Sequence, residues 1–531
     1  MNKLAKYQAI LFFLGMIYSQ ESVSLEDYQR AESFLSSNTS ALVFHANVSP
    51  NWLDDGRMWY RNKIVNGAEF IIIDPVEKTR KLAFNHQRIA EVLSIMDTTY
   101  DAFGLPFRSF KYINNGRSIS FNVENITYTC NLENYRCTSE HNEGVDQMDN
   151  SPRDRYLRER TRVLSPDGKL AAFIRDHNLW SRDVISNKER QLTFDGIESY
   201  GYATNNAVWT KGPGPVVLWS PDSKKIATFQ HDSRGVGEMY MVSTKSGHPE
   251  LSKWKYPLPG DSLIFRISRV IINVQTGGEE LTTLPEIIRL KMPPDQHRST
   301  SDDHIAGRGG VFLDVRWSED AKNLAFVSSS RDHKEAQLRV ANTTTGEVRD
   351  IMKEVQKTYF ESGDGFSNWH YLSGTNEVIW FSERDNWGHL YLIDLKTGKI
   401  KNRITQGEWA VQQVRYVDQK KRKIYFSAGG KEQGDPYYWH YYSINIDGSD
   451  LKLLTPEYAH HTVNFSSEYK YFIDSYSTPV TPPITVLRDM DGNQLVKLGQ
   501  ADISRLVALG WQPPTQVKTK PRDGVTDIYG L

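Results

Sequence analysis

Short runs of alternating apolar and polar residues, broken by turn-forming clusters, dominate the chain from about residue 51 onward. The clearest is WSPDSKKIATF, Trp219 to Phe229. Val216, Val217 and Leu218 lead into Trp219, then Ser220, Pro221, Asp222 and Ser223 supply turn chemistry. Ile226, Thr228 and Phe229 resume a β-branched and aromatic strand, so the stretch predicts two strands joined by a tight turn. Related stretches are NWLDDGRMWY, KYINNGRSISF, LSPDGKLAAFI, RWSEDAKNLAFV, HYLSGTNEVIWFS, RYVDQKKRKIYFS and NFSSEYKYFIDSY. Their anchor residues before the turn are Trp52, Tyr112, Leu164, Trp219, Trp317, Tyr371, Tyr416 and Phe465, at spacings of 60, 52, 55, 98, 54, 45 and 49. A repeat of about 40 to 50 residues with several short strands per unit is the signature of a β-propeller blade. The expected fold is therefore all-β, an eight-bladed β-propeller with a short N-terminal helix. Two β-sandwiches would also alternate but would not repeat one anchor. The 98-residue gap is either a degenerate unit or an insertion.

Two segments break the strand pattern. Ser24 to Ser36 predicts a helix, with Ser24 as N-cap, Glu26 and Asp27 in the first turn, and Leu25, Tyr28, Ala31 and Leu35 along one side. His86 to Ile95 predicts a second, capped by Asn85. Composition adds 12% aromatics, 36 Gly and 22 Pro, which suit a turn-rich β protein. The formal net charge of -1 supplies no field that selects nucleic acid or an anionic membrane. SPRDRYLRERTR, Ser151 to Arg162, interleaves Asp154 and Glu159 with its arginines and reads as a solvated connector.

The first residues carry Lys3 and Lys6, the apolar run Ala9 to Tyr18, and polar Ser19 to Glu21, the layout of a secretory signal peptide over 1–20. No later run reaches the length of a membrane span, so the expected location is exported, periplasmic or extracellular, with no span after signal removal. Cys130 and Cys137, the two cysteines, flank a hairpin tip; they pair as a disulfide in an exported protein or remain free thiols. Adjacent His460 and His461 cannot complete a ligand set alone, so neither a metal site nor a cofactor is expected. Asn38, Asn47, Asn125, Asn342 and Asn464 head glycosylation sequons, relevant in a host that glycosylates exported proteins.

LSPDGKLAAFIRDHNLWSRDV, LWSPDSKKIATFQHD, KYPLPGD, SERDNWGHLYLIDLKTGK and ITQGEW, in that order, resemble the N-terminal eight-bladed propeller of dipeptidyl peptidase IV and its relatives among the prolyl-oligopeptidase-type serine peptidases. The resemblance runs from about Asn51 to the C-terminus. The helix read above gives an N-terminal helical segment over 21–50, and the resemblance implies a propeller over 51–515 and the beginning of an α/β-hydrolase domain over 516–531. It also implies peptide substrates, a hydrolase domain downstream, and a homodimer through an arm spanning Glu238 to Asp261.

Two departures qualify what the resemblance implies. A hydrolase of this type carries its nucleophile in G-x-S-x-G, and no such pentapeptide occurs in the 531 residues. Gly260-Asp261-Ser262 and Gly365-Phe366-Ser367 both lack the second glycine, so no catalytic residue is assigned and the chain alone is expected to be inactive. The family's peptidases hold the peptide's ammonium with adjacent glutamates just before the W-S-P turn. Here that segment reads ESYGYATNNAVWTKGPGPVVLWSPD, with Glu198 alone and Asn205, Asn206 and Trp209 as the candidate substrate-binding residues. The expected function is thus the substrate-gating portion of an exported serine peptidase; the alternative is a stand-alone propeller that binds a peptide, glycan or protein partner.

Overall fold

The computed structural model describes residues 23–96, 99–141, 161–204, 212–274, 284–300, 302, 304–306, 311–362 and 368–531. The chain is mostly β, and among the described residues it forms seven four-stranded sheets and one six-stranded sheet. Two compact units result: Met1–His141 with Thr462–Leu531, and Asn142–His461.

The turns explain why the repeated stretches fold as they do. In LSPDGK, Ser165 Oγ donates to Asp167 Oδ1 (2.6 Å) and accepts the N–H of Leu170 (3.0 Å). Ser220 and Asp222 repeat these bonds at 2.6 and 2.9 Å, and Ser318 and Asp320 at 2.7 and 2.9 Å. Three residues after each serine the backbone turns left-handed, at Gly168 (φ 72°), Ser223 (φ 61°) and Ala321 (φ 56°). A serine–aspartate pair thus satisfies the turn's own N–H groups, and only one of the three turns has glycine at its left-handed position.

In the first unit, Asn51–Trp52, Met58–Ile64, Gly67–Asp74 and Thr79–Leu82 form one sheet, and Lys111–Ile113, Ser118–Val123, Ile126–Asn131 and Cys137–His141 another. Trp59, Phe70, Phe84, Phe107, Phe110 and Phe121 fill the layer between them, with Phe107 and Phe121 ring centroids 3.9 Å apart. Cys130 and Cys137 pair across the second sheet and are disulfide-bonded. A third sheet, His460–Phe465, Tyr471–Thr478, Thr481–Asp489 and Gln494–Gln500, buries Ile473, Leu487 and Leu498 against Met58, Tyr60 and Ile71 of the first. The Tyr60 hydroxyl donates to Leu498 O at 2.6 Å across that layer.

Both expected helices form. Leu25–Ser33 begins at Ser24, whose side chain accepts from Asp27 N while Asp27 bonds back to the Ser24 backbone. Its apolar side faces solvent, however: Leu25 and Tyr28 are 73% and 68% exposed. His86–Met96 starts at Asn85, whose Oδ1 accepts from Arg88 N at 3.1 Å. Residues 516–531 hold a two-stranded hairpin, Val517–Thr519 with Ile528–Gly530.

The second unit stacks five sheets in chain order with an apolar layer between each consecutive pair. Strands such as Glu377–Ser382 are buried along their whole length because both faces of their sheet are covered. That is why EVIWFS reads as a continuous rather than an alternating run. Each fully buried side chain of the Phe326 kind contributes about 1.5–3 kcal/mol. The anchor tryptophans tie neighbouring sheets together. Trp219 Nε1 donates to Val163 O (3.2 Å), and Trp317 Nε1 donates to Leu218 O (3.1 Å). In each case the accepting carbonyl belongs to the residue before the preceding anchor, so one contact is passed from sheet to sheet.

The 98-residue gap is an insertion. Lys225–Asp232 and Arg266–Asn273 pair directly over their full length in the six-stranded sheet. A two-stranded arm, Glu238–Ser243 with Glu250–Lys255, projects between them. Leu251, Tyr240, Met241 and Val242 on this arm are exposed. Arg331 fastens the segment that returns from the arm by donating to the carbonyls of Asp261 (3.1 Å) and Leu258.

Candidate functional site

Asn205, Asn206 and Trp209 lie outside the described residues, but both ends of their loop are placed. Tyr200–Tyr202 pairs with Gln230–Asp232 at the edge of the six-stranded sheet. Ala203 N donates to Phe229 O (2.9 Å) and Val216 N donates to Ala203 O (2.8 Å), which closes the loop's base. Tyr202, Ala203 and Val216 are fully buried and form a rim, whereas Glu198 is exposed in the turn before it.

Charged side chains brace that rim. Arg289 donates to the Tyr202 hydroxyl (2.7 Å), Gln230 Oε1 (2.9 Å) and Asp195 Oδ2 (3.0 Å). Burial first, and the hydroxyl's bond to Asp195 second, push the Tyr202 phenol well above the ordinary tyrosine range, so it stays a neutral donor. The Arg234 guanidinium lies 3.9 Å over the Tyr200 ring and is held by Asp232 at 2.9 and 2.7 Å.

Sequence reading missed a histidine pair on the same sheet. His231, opposite Gly201 and Ile267, is wholly buried, and its ring meets that of His297 edge to face at 5.0 Å. Phe265 and Phe229 pack around them, at 5.2 Å from His231 and 5.9 Å from His297. None of the four ring nitrogens makes a hydrogen bond among the described residues. Burial lowers His231 to about 4, against the opposing pull of Asp232, and holds His297 well below the ordinary histidine range. Both are therefore neutral at pH 7. The 65 residues between them carry no local pattern that links the two positions.

The serines and aspartates of the repeats have a plain role. Ser165, Ser220 and Ser318 spend their hydroxyls on the turn bonds described above. They close hairpins and are not paired with a base as a nucleophile is. Ser262 sits in the loop after the arm, and Gly365-Phe366-Ser367 lies outside the described residues. No helix among the described residues is long and apolar enough to cross a membrane.

Residues 128–483 match the family model described as the dipeptidyl peptidase IV (DPP IV) N-terminal region. The chain belongs to this DPP IV N-terminal family. Dipeptidyl-aminopeptidase B of Aspergillus niger is 25% identical over 351 residues, covering 60% of this chain and 36% of that protein. The crystal structure of Porphyromonas gingivalis dipeptidyl peptidase 4 superposes with a TM-score of 0.58 at 17% identity, over 96% of this chain and 66% of that one. A Bacteroides ovatus ATCC 8483 chain gives a TM-score of 0.57 at 18% identity, over 91% and 64%. This DPP IV N-terminal chain thus spans under two fifths of the Aspergillus protein and under two thirds of either solved chain. At these identities the structural likeness speaks to the fold of the DPP IV N-terminal region alone.

Proposed function

We propose that this chain forms the eight-bladed propeller, residues 51–515, of an exported DPP-IV-like serine peptidase. Residues 1–20 are its signal peptide, 21–50 its helical lead-in, and 516–531 the first strands of an α/β-hydrolase domain that supplies the nucleophile, base and oxyanion hole. The propeller roofs that domain, admits short or unstructured peptides, and contacts the amino-terminal end of the substrate. Asn205 and Asn206 contribute uncharged amide contacts there, with Trp209 beside them, and the arm from Glu238 to Asp261 forms the homodimer contact. The family match over residues 128–483 carries this reading.

The test is hydrolysis of Xaa-Pro-p-nitroanilides by this chain, with and without a serine-directed inhibitor. The expected result is no release. Inhibitor-sensitive turnover would show that the chain holds its own nucleophile. The same substrates, offered to the chain joined to an α/β-hydrolase domain that follows it in the coding sequence, are expected to be cleaved.

A further inference from the structure

At the root of the arm lies a pocket of about 630 Å³, within the size range of small-ligand sites. Tyr256, Pro257 and Pro259 make one wall, apolar and conformationally stiff. Arg298 and the turn Ser330 to Asp332 bring charge to the lining. Two guanidiniums, both on half-buried residues, thus share the pocket with one carboxylate, which is exposed. Asp332 is charged at neutral pH, because Ser330 Oγ (2.7 Å) and the Lys334 N–H (3.2 Å) donate to its Oδ1 and hold the carboxyl below its ordinary range. The lining therefore carries a surplus of positive charge.

Arg331 is held in place before any ligand arrives. Its Nη1 donates to Asp261 O (3.1 Å) and its Nη2 to Leu258 O, so two bonds fix the plane of a group that has five N–H donors. A fork anchored in this way loses little further freedom when it takes another acceptor. Arg298 lies beside buried His333, with Nη1 3.4 Å from Nε2, and the His333 ring stacks on Tyr359 at 4.8 Å. A cationic ligand would meet like charge here, and a purely apolar one would cover the guanidiniums without giving them an acceptor. An inorganic anion would answer the charge but fill only part of the volume and leave the Tyr256 to Pro259 wall bare. A compact anion on an apolar ring suits both the charge and the wall.

We propose that this pocket binds a small organic anion, a carboxylate or phosphate monoester carried on an apolar ring. Arg331 and Arg298 receive the anionic oxygens through charge-assisted hydrogen bonds, and the ring lies against Tyr256, Pro257 and Pro259. Asp332, exposed in the same lining, opposes the anion and limits its affinity. The inference stands independently of the peptidase reading, since it uses none of Asn205, Asn206 and Trp209.

Titration calorimetry of this chain with phenyl phosphate, hippurate, inorganic phosphate and benzyl alcohol tests it. Phenyl phosphate or hippurate is expected to bind about tenfold or more tightly than inorganic phosphate and neutral benzyl alcohol, the range of a charge-assisted hydrogen bond. Whichever of the two binds more tightly tells phosphate from carboxylate. Arg298→Gln leaves the hold of Arg331 on the arm intact and is expected to weaken that ligand about tenfold. Asp332→Asn keeps an acceptor oxygen for the turn bonds and removes the opposing charge. It is expected to tighten binding several-fold, a gain that a damaged fold would not produce. Binding of neither aryl anion, equal affinity for benzyl alcohol, or unchanged affinity in both variants would overturn the proposal.

Discussion

Acidification should unlock the His231–His297 pair, and the structure sets the window. His231 is wholly buried, and its pKa falls to about 4 from 6.5. A folded pKa below the unfolded one means that the native state binds fewer protons between these values. The contribution is complete above pH 6.5, declines as pH falls toward 4, and loses nothing more below that. A difference of about 2.5 units corresponds to about 3 kcal/mol from this one group, since each unit is worth about 1.4 kcal/mol. Among the described residues neither imidazole has a hydrogen-bond partner, and His304 and Arg298 oppose charge at His297, so only Asp232 favours the charged form, at His231. His231→Phe keeps an aromatic ring beside Phe265 and removes the titration. Urea melts of wild type and variant at half-unit steps from pH 7.5 to 4 isolate the effect. Other buried histidines, such as His370 at about 4, act alike in both proteins and cancel in the difference. The wild type should lose about 3 kcal/mol more than the variant across the window; parallel curves would refute the reasoning.

Trp317→Phe, which removes the indole bond to Leu218 O while keeping most of the packing, should cost about 1 kcal/mol in urea unfolding. Glu354 is buried and accepts from Trp380 Nε1 (2.7 Å), Arg384 (2.7 Å) and Gln356 (2.8 Å), so Glu354→Ala leaves a guanidinium and an indole N–H without their acceptor. The expected loss is about 3–5 kcal/mol, read as a shift in the urea midpoint. Cys130→Ser with Cys137→Ser opens a loop of sequence separation 7 and should lower stability by about 2–3 kcal/mol, with thermal unfolding of the first unit as the readout.

The strand pairs, their turns and both helix starts were legible because each is settled within a dozen residues. The serine–aspartate pairs Ser165 and Asp167, Ser220 and Asp222, and Ser318 and Asp320 make the same turn bonds, and Ser24 with Asp27 caps a helix without outside help. The sheet containing Trp219 was legible only in half. From sequence the 98-residue gap permitted a degenerate unit or an insertion, because strand propensity does not say which partner a strand takes. Pairing of Lys225–Asp232 directly with Arg266–Asn273 decided it. The helix Leu25–Ser33 shows the converse: its apolar side was read from spacing, yet nothing described covers it.

The sequence by itself determined the repeated strand–turn–strand unit and the family, since these rest on local backbone chemistry and on ordered motifs. Tertiary structure alone decided that the His231 ring meets that of His297 edge to face, with Phe265 and Phe229 packed beside them. Residues 66 positions apart meet there because sheet register and stacking fold them together, and no periodicity along the chain encodes that approach.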